Sequence, residues 1–376
     1  LWLPLLRRKA GVTRLAPGQS VRLWVVTLLV GGSLVYGAYR LSTANFRNGP
    51  RLALLQTNFP QRYKMGGQPL EILERIERLI GCAIASEPRP DLIVWPETAY
   101  PYGFIKVDPA TAGAELARQV KLISNEVTAA DWLDKKEKIE EYLHALADQA
   151  GVPMLVGANS YNHMPERLSK YNSALLFQPA VRTISTYNKI HLVPFGEFVP
   201  FLETLPWLTV FTPYRNGYIP SLTFGREPLL LSLGPYRMAI AICFEDTVPH
   251  VVRRFFHENA GDRQPDMLVN MSNDGWFQGS SELDMHLAVS VFRTIEHRVP
   301  LARAVNTGIS ALIDGNGEIR DTLPRLTERV LSVTVPLDDR TSNYTAWGDW
   351  LGSTCLAITI GLVPLGLLRR RTETAV

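Results

Sequence analysis

The chain has 376 residues, 46% apolar and 20% charged, with 27 glycines and 26 prolines. That balance excludes a disordered, collagen-like or coiled-coil protein and leaves room for one large domain or two ordinary ones. Its 39 basic and 36 acidic residues are too even to argue for a nucleic-acid partner, and three cysteines without a CxxC spacing argue against a disulfide scaffold or structural zinc.

In chain order, the first feature is Leu1–Leu6 running into Arg7, Arg8 and Lys9. It reads as the cytoplasmic end of an earlier membrane helix, so further spans are expected upstream. Leu23 to Tyr39 follows, 17 residues without a charge, with Trp24, Tyr36 and Tyr39 near its ends as interfacial aromatics. Its competing reading is a signal peptide.

Strands are then expected at Leu52–Gln56, Leu92–Trp95, Met154–Ala158, Ser173–Phe177, Met238–Cys243, Met267–Met271, Leu301–Val305 and Ile309–Asp314. Several are nearly continuous in Val, Ile, Leu and Ala, as strands covered on both faces are. Helices are expected at Leu70–Ala85, Lys136–Ala150 and Leu283–His297, from apolar residues at helical spacing. Residues 106–138 are rich in charge and read as a solvated helical excursion from the core.

A second uncharged run, Trp350 to Leu368, has 19 residues and stops at Arg369, Arg370 and Arg371. Its Pro364 is better tolerated in a membrane helix than in a soluble one. With Arg7, Arg8, Lys9, Arg14 and Arg22 before the first span, the basic residues place both chain ends in the cytoplasm and the middle across the membrane. The expected division is 1–44 with the first span, 45–340 as an α/β catalytic domain, and 341–376 with the second span and a basic tail.

Three residues carry the chemistry. Cys243 ends an apolar run and passes at once into polar sequence, which presents a thiol at a strand's C-terminal edge. Cys82 and Cys355 instead read as small buried hydrophobes. Glu97, in Trp95-Pro96-Glu97, also stands just past a buried strand, where a carboxylate can take a proton from a thiol. Lys189 is flanked by Ile190, Leu192, Val193 and Phe195, and a buried ammonium beside an acyl carbonyl stabilises a developing oxyanion. Glu197, eight residues later, can pair with Lys189 or steer an incoming nucleophile. Together these specify a nucleophilic Cys, a Glu base and a Lys oxyanion stabiliser, passing through a thioester. There is no GxSxG for a Ser-His-Asp enzyme. No P-loop, GxGxxG after a strand or HExxH motif implies a cofactor or metal.

These residues resemble the carbon–nitrogen hydrolase (nitrilase) superfamily. The matching segments are Trp95–Glu97, Asn188–Glu197, Ile242–Glu245, Asn270–Phe277 and Asn306–Asp314, within about 51–336. The resemblance implies an αββα sandwich, here flanked by transmembrane helices, with Glu97, Lys189 and Cys243 as catalytic triad. It makes Glu197, Glu245 and Phe244 supporting residues and Met65, Trp207 and Asn273 substrate-binding ones. Within the superfamily the chain is similar to bacterial lipoprotein N-acyltransferases of the inner membrane, whose catalytic domain faces the periplasm. That similarity implies a phospholipid acyl donor and the α-amino group of a diacylated apolipoprotein as acceptor. Two positions depart from the pattern: Phe244 stands where a Tyr is usual, and Met65 near where a Trp is expected.

A donor and acceptor that both sit in the bilayer favour acyl transfer to an amine, because tethering raises their effective concentration. The apolar loop Phe198–Pro213 suits a lipid-entry rim, its alternative being ordinary packing between strands. The competing functions are a membrane-anchored amidase or nitrilase acting on small substrates, and a catalytically dead scaffold on the same fold.

Overall fold

The computed structural model describes residues 17–61, 67–214, 218–258 and 264–373, and side chains only between 20 and 364. Leu1–Leu6, Arg7, Arg8, Lys9, Arg14 and Met65 lie outside the described residues, as do the side chains of Arg369, Arg370 and Arg371. The chain divides into two compact units between Asn45 and Phe46.

The first unit holds helix α1 (Pro17–Ser42). Its stretch Ser20–Ser42, 23 residues, is long and apolar enough to cross a membrane by length and composition. Among the described residues it is the one helix that meets that test. Trp24, Leu28 and Val35 on it are exposed.

The second unit is built on two sheets. Strands β1 (Phe46–Gln56), β2 (Leu92–Val94), β3 (Phe104–Val107), β4 (Met154–Met164), β5 (Arg167–Gln178), β6 (Val181–Asn188) and β13 (Arg329–Asp338) form the first, in the order β13-β1-β2-β4-β5-β6 with β3 beside β4. The second runs β12-β11-β10-β9-β8-β7, from β7 (Leu230–Leu233), β8 (Tyr236–Ile242), β9 (Met267–Ser272), β10 (Leu301–Val305), β11 (Ala311–Ile313) and β12 (Ile319–Thr322). The β1–β2–β4 and β8–β9–β10 ladders are parallel.

Alternation along β1 shows how the layers form. Leu52 and Leu54 join a core with Met238, Ile240, Val269 and Ala302 of the second sheet. Ala53 and Leu55 point the other way, into a core with α2 (Pro69–Ile84) and α4 (Ala129–Ala150). Helix α2 buries Ile72, Ile76, Leu79, Ile80 and Ala83, one stripe at helical spacing. Helix α4 starts on a capping box between Thr128 and Asp131 and stops at Gly151, whose φ of 59° lies in the left-handed region. Beyond the second sheet, α5 (Pro249–His257) and α6 (Glu282–His297) contribute Val251, Phe255 and Leu287 to its core.

The region 106–138 corrects its expectation. It contains the end of β3, helix α3 (Gly113–Lys121) and the first turns of α4, and it buries Leu116, Val120 and Trp132 against the core. The charges lie on the outer faces of amphipathic helices, which a charge count alone does not separate. The expectation for Cys82 is also corrected, since it is exposed; Cys355 is exposed on the helix read as the second span. Cys82 lies off the α2 stripe, on the face away from Ile80 and Ala83.

The chain continues through α7 (Asn343–Trp347) to α8 (Trp350–Glu373), whose apolar stretch among the described residues is Trp350–Pro364. The Cys243 strand ends one residue early, at Ile242.

Candidate active site

Three strand ends meet. Glu97 lies three residues past β2, Lys189 directly after β6, and Cys243 directly after β8, so the two sheets contribute to one mouth. All three line a cavity of about 900 Å³.

Each turn is built for its residue. Cys243 takes φ 51°, a left-handed conformation that a non-glycine residue adopts only under constraint. The Asn270 side-chain amide donates to the Cys243 carbonyl at 3.2 Å, and the Ile242 amide donates to Glu245 at 2.7 Å. Behind Glu97, strand β4 comes so close at Gly157 that an added Cβ would collide with the Pro96 carbonyl oxygen. Behind Lys189, the Gly225 amide donates to the Lys189 carbonyl at 2.7 Å, and a Cβ there would collide with the Asn188 carbonyl oxygen. At both places only glycine lets the backbones approach.

The charged groups form one buried set. The Lys189 ammonium, 1% exposed, lies 2.8 Å from Glu197 and 3.4 Å from Glu97. Glu97 also accepts from the Asn172 side-chain amide at 2.7 Å and from the Asn273 backbone amide at 2.9 Å. Glu197 accepts from Asn172 at 3.0 Å and from the Val193 amide at 2.8 Å. Burial pulls the Lys189 pKa down, but the facing carboxylates outweigh it and hold the ammonium well above its ordinary range.

The thiol is pushed the other way. Burial and the Glu97 charge raise the Cys243 pKa well above the ordinary cysteine value, with Lys189 opposing them. A thiol that is neutral at rest needs a base during attack. Glu97, whose charge acts on the thiol, shares the cavity wall with it.

Glu245 is a brace outside the cavity. Fully buried, it accepts from the Tyr187 hydroxyl at 2.9 Å and from the Ile190 and His191 amides at 2.7 and 3.0 Å, tying the Lys189 segment to the Cys243 turn. Burial raises its pKa to about 7 against those donors. Phe244 reaches the cavity wall, stacked on His191 with ring centres 6.0 Å apart. Asn273 lines the cavity, its side chain donating to Gln61 at 3.0 Å and accepting from Asn306 at 2.8 Å.

Trp207 does not line the cavity. It is 61% exposed on the 3-10 turn Pro206–Phe211, edge-on to Phe211, and Phe211 is the member of that turn that reaches the wall. Phe201, Val210 and Phe211 are also exposed, so Phe198–Pro213 presents an apolar rim, with Val199 packed inward.

Five contributors escaped sequence reading. Asn172 stands in β5 between Tyr171 and Ser173, just before the apolar run Ala174–Phe177. Asp246, Asp274 and His286 cluster with Arg303, whose guanidinium bonds both aspartates at 3.0 Å. A fully buried arginine in the middle of Leu-Ala-Arg-Ala-Val was the visible clue.

Comparison with known proteins agrees with this architecture. The carbon-nitrogen hydrolase family profile matches residues 51–343. A Geobacter metallireducens protein named apolipoprotein N-acyltransferase is 34% identical over 357 residues, 94% of this chain and 60% of that protein. A Chlorobaculum tepidum protein of the same name is 31% identical, covering 85% of this chain and 57% of its own length. The chain thus spans about six-tenths of the length of these relatives. Among solved structures it resembles the carbon-nitrogen hydrolase of Helicobacter pylori G27, with a TM-score of 0.50, 16% identity, and 76% and 89% of the two chains covered. It resembles Saccharomyces cerevisiae Nit3 to the same TM-score at 15% identity, over 77% and 91% of the two chains. At such identity the two structures speak to the fold alone.

Proposed function

The chain belongs to the carbon–nitrogen hydrolase family, and on that premise we propose that it moves a fatty acyl chain from a phospholipid to the terminal amine of a diacylated lipoprotein. The single observation behind the choice of substrates is the exposed rim of Phe201, Val210 and Phe211 beside a large cavity that holds a thiol, a carboxylate and an ammonium. Apolar side chains left in water around a catalytic mouth suit acyl chains entering from a bilayer. The names of the curated relatives support the same reading.

In the first half-reaction Cys243 Sγ attacks the donor's ester carbonyl as Glu97 takes the thiol proton. The tetrahedral oxyanion develops toward the Lys189 ammonium. Collapse breaks the ester bond, Glu97 returns the proton to the leaving alkoxide, and a lysophospholipid departs from the thioester. In the second half-reaction the acceptor amine attacks the thioester carbonyl, Glu97 takes a proton from the nitrogen, and the sulfur leaves and regains its proton. Glu197 holds Lys189 in place throughout, and Asn172 keeps the two carboxylates in register.

Helices α1 and α8 are read as membrane anchors of a bacterial inner-membrane protein, holding the catalytic unit on the extracytoplasmic side, as the basic residues near both chain ends suggest. The test is incubation with phospholipid and a synthetic diacylated lipopeptide. A triacylated product supports the reading. Free fatty acid alone, or turnover of small amides in place of lipid, contradicts it.

A further inference from the structure

We propose that His286 is a positioning residue, a buried imidazolium that ties the nucleophile's turn to the segment holding the base and sets the pH at which Cys243 reacts. The inference rests on the reading of Cys243 as nucleophile and Glu97 as its base.

The ring sits between two carboxylates. His286 Nε2 is 2.9 Å from Asp246 and Nδ1 is 3.1 Å from Asp274. Both aspartates are also bonded by Arg303, so both are ionised acceptors. A neutral imidazole has one N–H and would turn a lone pair toward one of them, so this geometry requires a proton on each nitrogen. Burial and Arg303 oppose that charge, yet the facing aspartates lift the ring's pKa to about 9. Two carboxylates against Arg303 and His286 balance only when the ring is charged, which a site this deeply buried demands.

The two aspartates belong to the catalytic turns. Asp246 shares a 3-10 turn with Cys243. Asp274 follows Asn273, whose backbone amide donates to Glu97. One ring on α6, at the cavity wall, therefore spans the nucleophile turn and the base-holding turn.

The charge has a second effect. The groups facing the thiol are Glu97, Lys189, Glu197 and Asp274, and the Asp274 charge pushes the thiol's pKa upward with burial and Glu97. An imidazolium against Asp274 offsets that push. Taking the positive charge away exposes Asp274 to the thiol, and taking the Asp274 charge away does the reverse.

The test is the pH profile of Cys243 alkylation by iodoacetamide, read by peptide mass spectrometry on the full chain in detergent micelles. His286→Gln is expected to slow alkylation about threefold to tenfold below pH 9, where the parent's ring is charged, and to leave it unchanged at higher pH. Asp274→Asn is expected to speed it by a similar factor, and the double variant to bring it back toward the parent. A general loss of structure cannot produce opposite signs. Unchanged rates, or rates that move together, overturn the proposal. A parent chain whose Cys243 takes no acyl group from phospholipid overturns the nucleophile reading itself.

Discussion

Glu197 holds the Lys189 ammonium at 2.8 Å, closer than Glu97 does at 3.4 Å. In the proposed mechanism the lysine is therefore anchored chiefly by a carboxylate that takes no proton. There, when Glu97 becomes neutral on accepting the thiol proton, Lys189 keeps its partner and its place opposite the oxyanion. Glu197→Gln should lower kcat for acyl-enzyme formation by about tenfold to a hundredfold, less than the 10²–10³-fold expected for Lys189→Met. Single-turnover rates from a phospholipid donor check the order. Glu197→Gln as damaging as Lys189→Met would assign Glu197 a proton-transfer role.

Gly157 carries a second prediction. An alanine Cβ there would collide with the Pro96 carbonyl and lie 3.0 Å from Glu97 Cα and 2.9 Å from the Thr98 nitrogen. Backbone cannot yield as a side-chain tip can, so Gly157→Ala should displace the Glu97 turn. The expected cost is roughly 1–3 kcal/mol of stability and at least a tenfold loss in kcat. Thermal melting with single-turnover kinetics measures both.

Stability should follow pH through the buried quartet. The pKa of His286 in the fold is about 9 against an ordinary 6.5, so its contribution is fully present below 6.5 and lost as pH rises through 9. Asp274 is held below its ordinary 3.8, mainly by Arg303 and His286 acting against burial, so its contribution is lost as pH falls below that value. The quartet's own contribution to stability should plateau between these limits and fall toward alkaline pH, with on the order of 3 kcal/mol at stake in His286. In His286→Gln the alkaline decline should flatten.

The exposed rim separates lipid access from chemistry. Phe201, Val210 and Phe211 are 72%, 74% and 61% exposed, and replacing all three with Ser should leave the fold and the alkylation of Cys243 unchanged. It should raise the apparent KM for vesicle-borne phospholipid about tenfold or more. Loss of activity toward soluble esters as well would show that the rim shapes the catalytic cavity.

What the sequence revealed depended on contrast with neighbours. Glu97 and Cys243 stood out in the sequence because each follows an apolar run, and Lys189 because apolar residues follow it. Strands β8, β9 and β10 were legible because burial on both faces leaves them almost wholly apolar. Exposed β12 and half-exposed β6 escaped for the opposite reason. Trp207 lies on the exposed apolar loop and not on the cavity wall, a distinction that apolar spacing on a short turn does not make. Asn172 and the His286 quartet depend on partners brought together by the fold, and only Arg303 inside an apolar strand marked them locally.

The most direct measurement is the mass of the Cys243 peptide after the full chain is incubated with a phospholipid of defined acyl chains and no amine acceptor. The account predicts a peptide heavier by one acyl chain, held as a hydroxylamine-sensitive thioester, absent from Cys243→Ala and released when a diacylated lipopeptide is added. An unmodified Cys243 in a chain that still acylates the lipopeptide would contradict it.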